Sequence, residues 1–352
     1  MTPGPATALP ALRGAALALA AAVLFGASTP LVQLYGAGLG AFTTAALLYA
    51  GAAVVGALSR KHIGREARLQ RTDAPRLLAM AGLGAVIGPV ALAWGLQRTS
   101  GTSASLMLTL EAAFTAVLAW WLYRETIGRR VWAALALLLG GGALLVLDQG
   151  AIGGARPWGL LAVLMATAAW GVDNTLSRAL AERDPGQVVL VKSALGAAST
   201  ALLALALRET APGWTAALAL LAVGAAGYGL SLRLYLLAQR AFGAARTGSV
   251  FVFAPFVGAA LALALGERFA SPLLVAGSAL MLLGVVFHLS ESHLHEHEHE
   301  ALDHEHAHGH DDGHHEHVHD AVPVGRHSHP HHHAPLRHDH PHVPDAHHAH
   351  RH

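Results

Sequence analysis

Long stretches without a single charge constrain this chain more than any other feature. Residues 14–59 contain no Asp, Glu, Lys or Arg, and similar charge-free runs occupy 77–97, 131–147, 157–172, 210–232, 247–266 and 269–290. A helix needs about 20 apolar residues to cross a hydrocarbon layer ~30 Å thick. A soluble helix of that length would show a charged face every turn or two. The chain is therefore read as an all-α polytopic membrane protein. Composition agrees, with 53% hydrophobic and only 13% charged residues, against about a quarter charged in soluble domains.

The remaining charge is concentrated at one end. Twelve of the 22 acidic residues and 24 of the 26 histidines lie at or beyond Glu291. The net charge of +1 thus averages two unlike regions, and no basic, aromatic-rich surface for nucleic acid is present. The absence of cysteine excludes disulfides, thiolate metal sites and cysteine nucleophiles together. The run "LRGAALALAAAVLFGASTP" is shaped like a signal peptide. Its apolar stretch is long enough to cross, however, and it is read as the first span.

Charge-free runs and their separators predict ten transmembrane helices, near 14–35, 40–58, 77–97, 102–123, 131–147, 157–177, 187–207, 214–236, 247–265 and 272–290. Alternating the loops between faces places fourteen Arg or Lys residues on one side and four on the other. Positive charge favours the cytoplasm, so both termini are expected there, in a bacterial-type inner membrane.

The chain also repeats. A shift of 142 lays "LQRTSG" (Leu96–Gly101) on "AQRAFG" (Ala238–Gly243), Glu125 on Glu267, Gly82 on Gly224 and Gly142 on Gly284. A shift of 145 lays Phe25-Gly26 on Trp170-Gly171. Five spans per copy is an odd number, so the copies are expected as two inverted five-helix repeats, an arrangement common in secondary transporters. The predicted units are 1–148, 149–290 and a tail, 291–352.

The segment "RTGSVFVFAPFVGAALALALGERF", with Pro255 inside it and Glu267 near its end, resembles the EamA-type branch of the drug/metabolite transporter superfamily. The earlier copy, "SLMLTLEAAFTAVLAWWLYRET", resembles the same element ending at Glu125, with Ala113 opposite Pro255 and Glu111 opposite Phe253. The resemblance covers about residues 14–290. It implies a ten-helix transporter with a central cavity and leaves the substrate unspecified.

Four ionisable side chains fall within spans: Glu111, Asp173, Lys192 and Arg233. Each costs about 2.5–3.5 kcal/mol at a helix centre on insertion scales, so each is expected to face a cavity or a partner. Asp173, Lys192 and Arg233 share one level near the cytoplasmic ends of consecutive helices. They are read either as a structural pair, Asp173 with Lys192 or Arg233, or as a charged cluster for substrate or gating. Glu111 sits near the midplane with no cation at its depth. It is a candidate for proton exchange, for a neutral acid hydrogen-bonded to another helix, or for substrate contact. Trp170 and Asn174 share the helix of Asp173 and are expected to line the cavity with it.

Other features have plainer readings. Trp120, Trp121, Tyr123, Trp132, Trp158 and Trp214 lie at span ends as interfacial anchors. Gly84 and Gly88, Gly140 to Gly142, and Gly224, Gly227 and Gly229 are expected to allow close helix packing. Glu125 and Glu267 are expected to pair with adjacent arginines.

The tail reads "HLHEHEHE", "HEHAHGH", "HHEHVH", "HSHPHHH" and "RHDHPHVPDAHHAHRH". With no apolar periodicity it is expected to be disordered without a ligand. Clustered neutral imidazoles suit Zn, Ni, Co or Cu. The candidate ligands are His295, His297, His299, His304, His306, His308, His310, His329, His331, His333, His338, His340 and His342. No cofactor is required by anything in the spans.

The leading reading is a secondary transporter exporting a small polar metabolite or amino-acid-like compound, with a metal-binding tail. A second reading makes the transition metal the cargo, and a third makes the chain a membrane-tethered metal buffer. The spans hold His288 alone among histidines, which weighs against metal passage. No nucleophile constellation or phosphate loop points to an enzyme. The expected partners are a small-molecule substrate and the bilayer, with no nucleic acid, and a homodimer is left open.

Overall fold

The computed structural model of the chain describes residues 5–60, 66–123, 129–151, 158–180, 183–242, 244–267, 271–289, 297–299, 302–308, 327–333 and 336–338. Outside the tail it is helical. Helices α1 (Pro5–Gly36) and α2 (Ala41–Ser59) are joined by a turn in which Gly38 takes φ 77°, a conformation open to glycine because it lacks a Cβ. Helix α3 (Ala74–Met80) passes through a π-helical segment, Ala81–Ile87, into α4 (Gly88–Leu96). Helices α5 (Gly101–Met107) and α6 (Leu110–Tyr123) follow each other across a break at residues 108–109, and α7 spans Arg129–Ala151.

The C-terminal helices echo this series. They are α8 (Trp158–Ser177), α9 (Pro185–Ala206), α10 (Trp214–Val223), α11 (Ser231–Phe242), α12 (Ala244–Phe251), α13 (Ala254–Ala264) and α14 (Pro272–Leu289). A second π segment, Gly224–Leu230, joins α10 to α11, close to the offset that aligns Gly82 with Gly224 in sequence. The break between α12 and α13 matches that between α5 and α6. Pro255 lies in the first turn of α13, where its missing N–H breaks no helical bond. The sequence predicted unbroken spans at both places, and the structure divides each one.

Among the described residues, seven helical stretches are long and apolar enough to cross a bilayer: Leu12–Gly36, Ala41–Ser59, Arg71–Leu96, Trp158–Ser177, Pro185–Ala206, Trp214–Ala241 and Thr247–Ala264. Two shorter apolar helices, Trp132–Asp148 and Pro272–Phe287, accompany them. Their outward faces carry exposed Leu58, Leu139, Leu202, Leu205 and Val286, an amount of bare apolar surface that suits lipid rather than water. Trp132, Trp158 and Trp214 are exposed at helix ends, as expected of anchors.

The packing interlocks early and late parts of the chain. Helix α2 lies along α9, α1 contacts α11 and α13, α4 lies on α8, and α7 pairs with α14. Small residues make these approaches possible. A Cβ on Gly51 or Gly224 would strike the backbone of the facing helix, at Leu221 and Leu48 respectively. In lipid, where helices gain little from the hydrophobic effect, such close contact supplies the cohesion. The main core runs through Leu48, Leu92, Met107, Leu138, Leu160 and Met281.

Within the tail, four short strands lie among the described residues. Strands β1 (His297–His299) and β4 (Leu336–His338) pair antiparallel, as do β2 (Leu302–His308) and β3 (His327–His333). The alternating histidine pattern has the period of a strand. His295, His310, His340 and His342 lie outside the described residues.

Candidate functional site

The site begins with helix periodicity. On α8, Trp170, Asp173 and Asn174 fall at i, i+3 and i+4, on one face. Tyr228, Ser231, Leu232 and Tyr235 repeat the same spacing through the second π segment and α11. These two faces meet Phe25 of α1, Tyr49 of α2, Glu111 of α6, Lys192 of α9 and Phe251 of α12 around one small cavity of about 50 Å³. That is room for a few waters. A metabolite would require the walls to part.

Its charges are organised. Lys192 forms an ion pair with Asp173, and the two residues are only 2% and 3% exposed. Removing one partner from such a pair leaves a buried, uncompensated charge. The second carboxylate oxygen of Asp173, Oδ1, is buried with no hydrogen-bond partner. Glu111 accepts a hydrogen bond from the Asn174 side-chain amide. The break at residues 108–109 puts Glu111 in the first turn of α6, where the helix dipole favours an anion. Sequence depth alone had placed it in mid-helix.

The π segment at Ala81–Ile87 frees a carbonyl for the site. Gly84 O accepts from Trp170 Nε1 at 2.9 Å and also from the Tyr49 hydroxyl. Gly84 and Gly88 were expected to serve helix packing. A Cβ on Gly84 would instead strike the Asp173 carboxyl, and one on Gly88 the Trp170 indole. These glycines seat the site's side chains, and π turns recur at such places.

Aromatic rings form the remaining wall. Phe25 meets Trp170 at 5.5 Å between centroids and Tyr228 at 5.9 Å, Tyr49 meets Tyr228 at 5.5 Å, and Tyr235 meets Phe251 at 5.0 Å. Edge-to-face and tilted contacts of this kind rigidify a pocket.

Of the six pathway residues expected from sequence, the structure gathers Glu111, Trp170, Asp173, Asn174 and Lys192 around the cavity. Arg233 is not among its lining residues. It lies on another flank of α11, half-buried, with Nε buried and unpartnered. Sequence reasoning missed Phe25, Tyr49, Tyr228, Tyr235 and Phe251. One signal was available: the repeat aligns Phe25 with Trp170. Glu267 caps a helix start, and the adjacent Arg268 lies outside the described residues. The Glu267 carboxylate accepts from Gly101 N at 2.7 Å and Thr102 N at 2.8 Å, capping α5, and Glu125 lies outside the described residues. Among the described residues, no group of three or more His, Asp or Glu is arranged to hold a metal ion.

Apolar spans packed around a charged, aromatic-walled chamber define a multi-pass membrane protein of the transporter class. The chain belongs to the EamA-like transporter family, whose model matches residues 12–147 and 157–290. A protein of Methanothermobacter thermautotrophicus (strain Delta H) described as an uncharacterized transporter is 30% identical over 220 residues, which are 59% of this chain and 62% of that protein. The chain thus spans about three fifths of that relative's length. A solved crystal structure, 20% identical, shares the fold with a TM-score of 0.56 over 80% of this chain and 95% of its own.

Proposed function

We propose that the chain is a secondary transporter that exports a small polar metabolite or amino-acid-like compound from the cytoplasm, driven by protons exchanged at Glu111. One observation carries this reading: one cavity brings together Glu111, Asp173 and Lys192 from three helices. An amino-acid-like solute presents an ammonium and a carboxylate. Asp173, with one oxygen free of protein partners, and Lys192 have the complementary charges, and the aromatic wall suits a compact organic body. Binding energy for the solute would come from exchanging the internal ion pair for two intermolecular ones.

The topology in this proposal is ten spans in two inverted halves, 1–148 and 149–290, with both termini cytoplasmic in a bacterial-type inner membrane. The matching π segments and matching helix breaks support it, as does the excess of positive residues in alternate loops. Odd-numbered halves related in this way can rock about a shared site.

The tail, 291–352, is proposed to bind divalent Zn, Ni, Co or Cu. The antiparallel register supports this by setting His304 opposite His331, His306 opposite His329 and His308 opposite His327. Directly opposed positions on paired strands stand about 5 Å apart at Cβ, a span one metal ion can bridge. The metal is not proposed as cargo, since among the described residues no imidazole lines the cavity and the chain has no cysteine.

The test is flux in proteoliposomes with the full chain and with residues 293–352 removed, using amino acids, Ni²⁺ and Zn²⁺. Organic flux that follows an imposed pH gradient and survives truncation is the expected result. Metal flux that disappears with the tail would replace this reading with metal transport.

A further inference from the structure

The cavity is floored at one end by a second, separate apolar cluster. Leu232 lines the cavity and packs against this cluster, made of Leu77, Met80, Leu180, Val188 and Leu236. Four of these five are fully buried: Met80, Leu180, Val188 and Leu236. Leu69 also packs against the cluster. Leu69 belongs to the segment that leads into α3, and that segment is tied down along its length.

The ties all reach across to later parts of the chain. Ala67 forms a parallel bridge with Arg183, and Asp184 N donates to Ala67 O at 2.8 Å. Leu69 N donates to Gln187 Oε1 at 3.0 Å. Arg183 Nε meets Asp73 Oδ2 at 2.9 Å, and Arg240 meets Glu66 Oε2 at 2.6 Å. Arg240 also donates to Arg183 O, joining the two ion pairs into one network.

We propose that residues 66–73 form a latch which, with the apolar cluster beneath it, is the gate at this end of the transport path and is closed in this structure. The proposal rests on the transporter reading above and adds the device that switches access. The opposite end is built differently. There a cavity of about 380 Å³ lies among Val32, Gln33, Thr44, Leu96 and Gln97, where α1 and α4 end and α2 begins.

Strength distinguishes the latch from the site. The latch pair sits nearer to water than the site pair, with side chains 16% and 6% exposed for Arg183 and Asp73 against 3% and 5% for Lys192 and Asp173. Water that reaches an opening pair rehydrates both charges, so the latch can part by itself. The sealed Asp173–Lys192 pair parts only when the solute replaces the contacts it loses. Apolar side chains beneath the latch block hydrated solutes while it is shut and part without leaving polar groups unsatisfied. The latch therefore supplies a breakable clasp, and the cluster supplies the seal.

The chain has no cysteine, so one introduced thiol reports access without interference. Ser231→Cys places it in the cavity wall, where membrane-impermeant methanethiosulfonate ethyltrimethylammonium, a permanently charged quaternary ion, can be applied to vesicles of either sidedness. Labelling from the latch side should be slow, and adding Arg183→Ala with Arg240→Ala should speed it about fivefold or more from that side alone. Reversing the pair as Asp73→Arg with Arg183→Asp should bring the rate back toward that of Ser231→Cys alone. Asp73→Asn is the milder variant to use if the double alanine chain does not fold. Unchanged rates in a folded latch variant, or equal increases from both sides, would overturn the proposal. Labelling needs no substrate, so a chain that labels as expected yet moves no solute removes the transport reading and leaves the latch standing.

Discussion

Phe25 and Trp170 meet edge to face in the cavity wall, 5.5 Å apart between centroids with their planes at 82°. They are also the two residues that a shift of 145 superposes in the sequence repeat. Equivalent positions of the two copies thus become neighbours at the centre. An aromatic pair of this kind contributes about 0.5–1.5 kcal/mol beyond its buried area. Phe25→Ala should therefore weaken solute binding, seen as a KM raised about threefold to tenfold, a range that corresponds to this energy. Unchanged KM in a folded variant would remove Phe25 from the binding wall.

The Asp173–Lys192 pair gives a second prediction. Lys192→Met should leave Asp173 buried without its cation and destabilise the fold by about 3–5 kcal/mol. Combining it with Asp173→Asn should recover much of that loss, because no charge is then stranded, while transport stays absent. Thermal unfolding in detergent checks the first part, and proteoliposome flux the second. A double variant that transports normally would show that the pair serves structure alone.

Glu111→Gln separates folding from coupling. A glutamine side-chain carbonyl can still accept the bond from Asn174, so the variant should fold with a melting temperature close to that of the parent. It should exchange solute across the membrane without following a pH gradient. Uphill, gradient-driven flux in this variant would remove Glu111 from the coupling step.

The two glycines of the first π segment form a matched pair. Gly84→Ala should destabilise the chain by about 1–3 kcal/mol, the usual effect of overpacking, and abolish transport, because the new methyl meets the Asp173 carboxyl. Nothing lies within 4 Å of a Cβ at Gly82. Gly82→Ala should be neutral or slightly stabilising, by up to about 1 kcal/mol from the lost flexibility of the unfolded chain. Comparing the unfolding temperatures and flux of the two variants tests whether Gly84 seats the site.

Removal of residues 293–352 should abolish Ni²⁺ and Zn²⁺ binding in titration calorimetry and leave organic flux within about twofold of the full chain, the factor set by less than 0.5 kcal/mol. Protonated imidazoles do not bind metal. Binding to the intact chain should therefore weaken as pH falls below about 6.5, the ordinary imidazole value, and metal titrations at stepped pH measure it.

Hydropathy by itself determined that the chain is helical and crosses a membrane, because lipid leaves no partner for an unpaired backbone. The lack of charge over 20-residue lengths is visible without coordinates. The family resemblance was legible, and so were five of the six residues expected along the pathway, which line the cavity: ionisable and polar side chains are costly enough within a span that they stand out wherever they occur. Only the tertiary structure decided what those charges do. Sequence placed Asp173, Lys192 and Arg233 at one depth, but depth says nothing of the direction in which a residue faces around its helix. The fold joins the first two and turns Arg233 away. It also introduces π turns and helix breaks, which depend on packing against distant backbone and so move Glu111 to a helix start and free the Gly84 carbonyl. The aromatic wall was hidden for the same reason, since tyrosine and phenylalanine are common in apolar spans and acquire meaning only when seven elements close around one point.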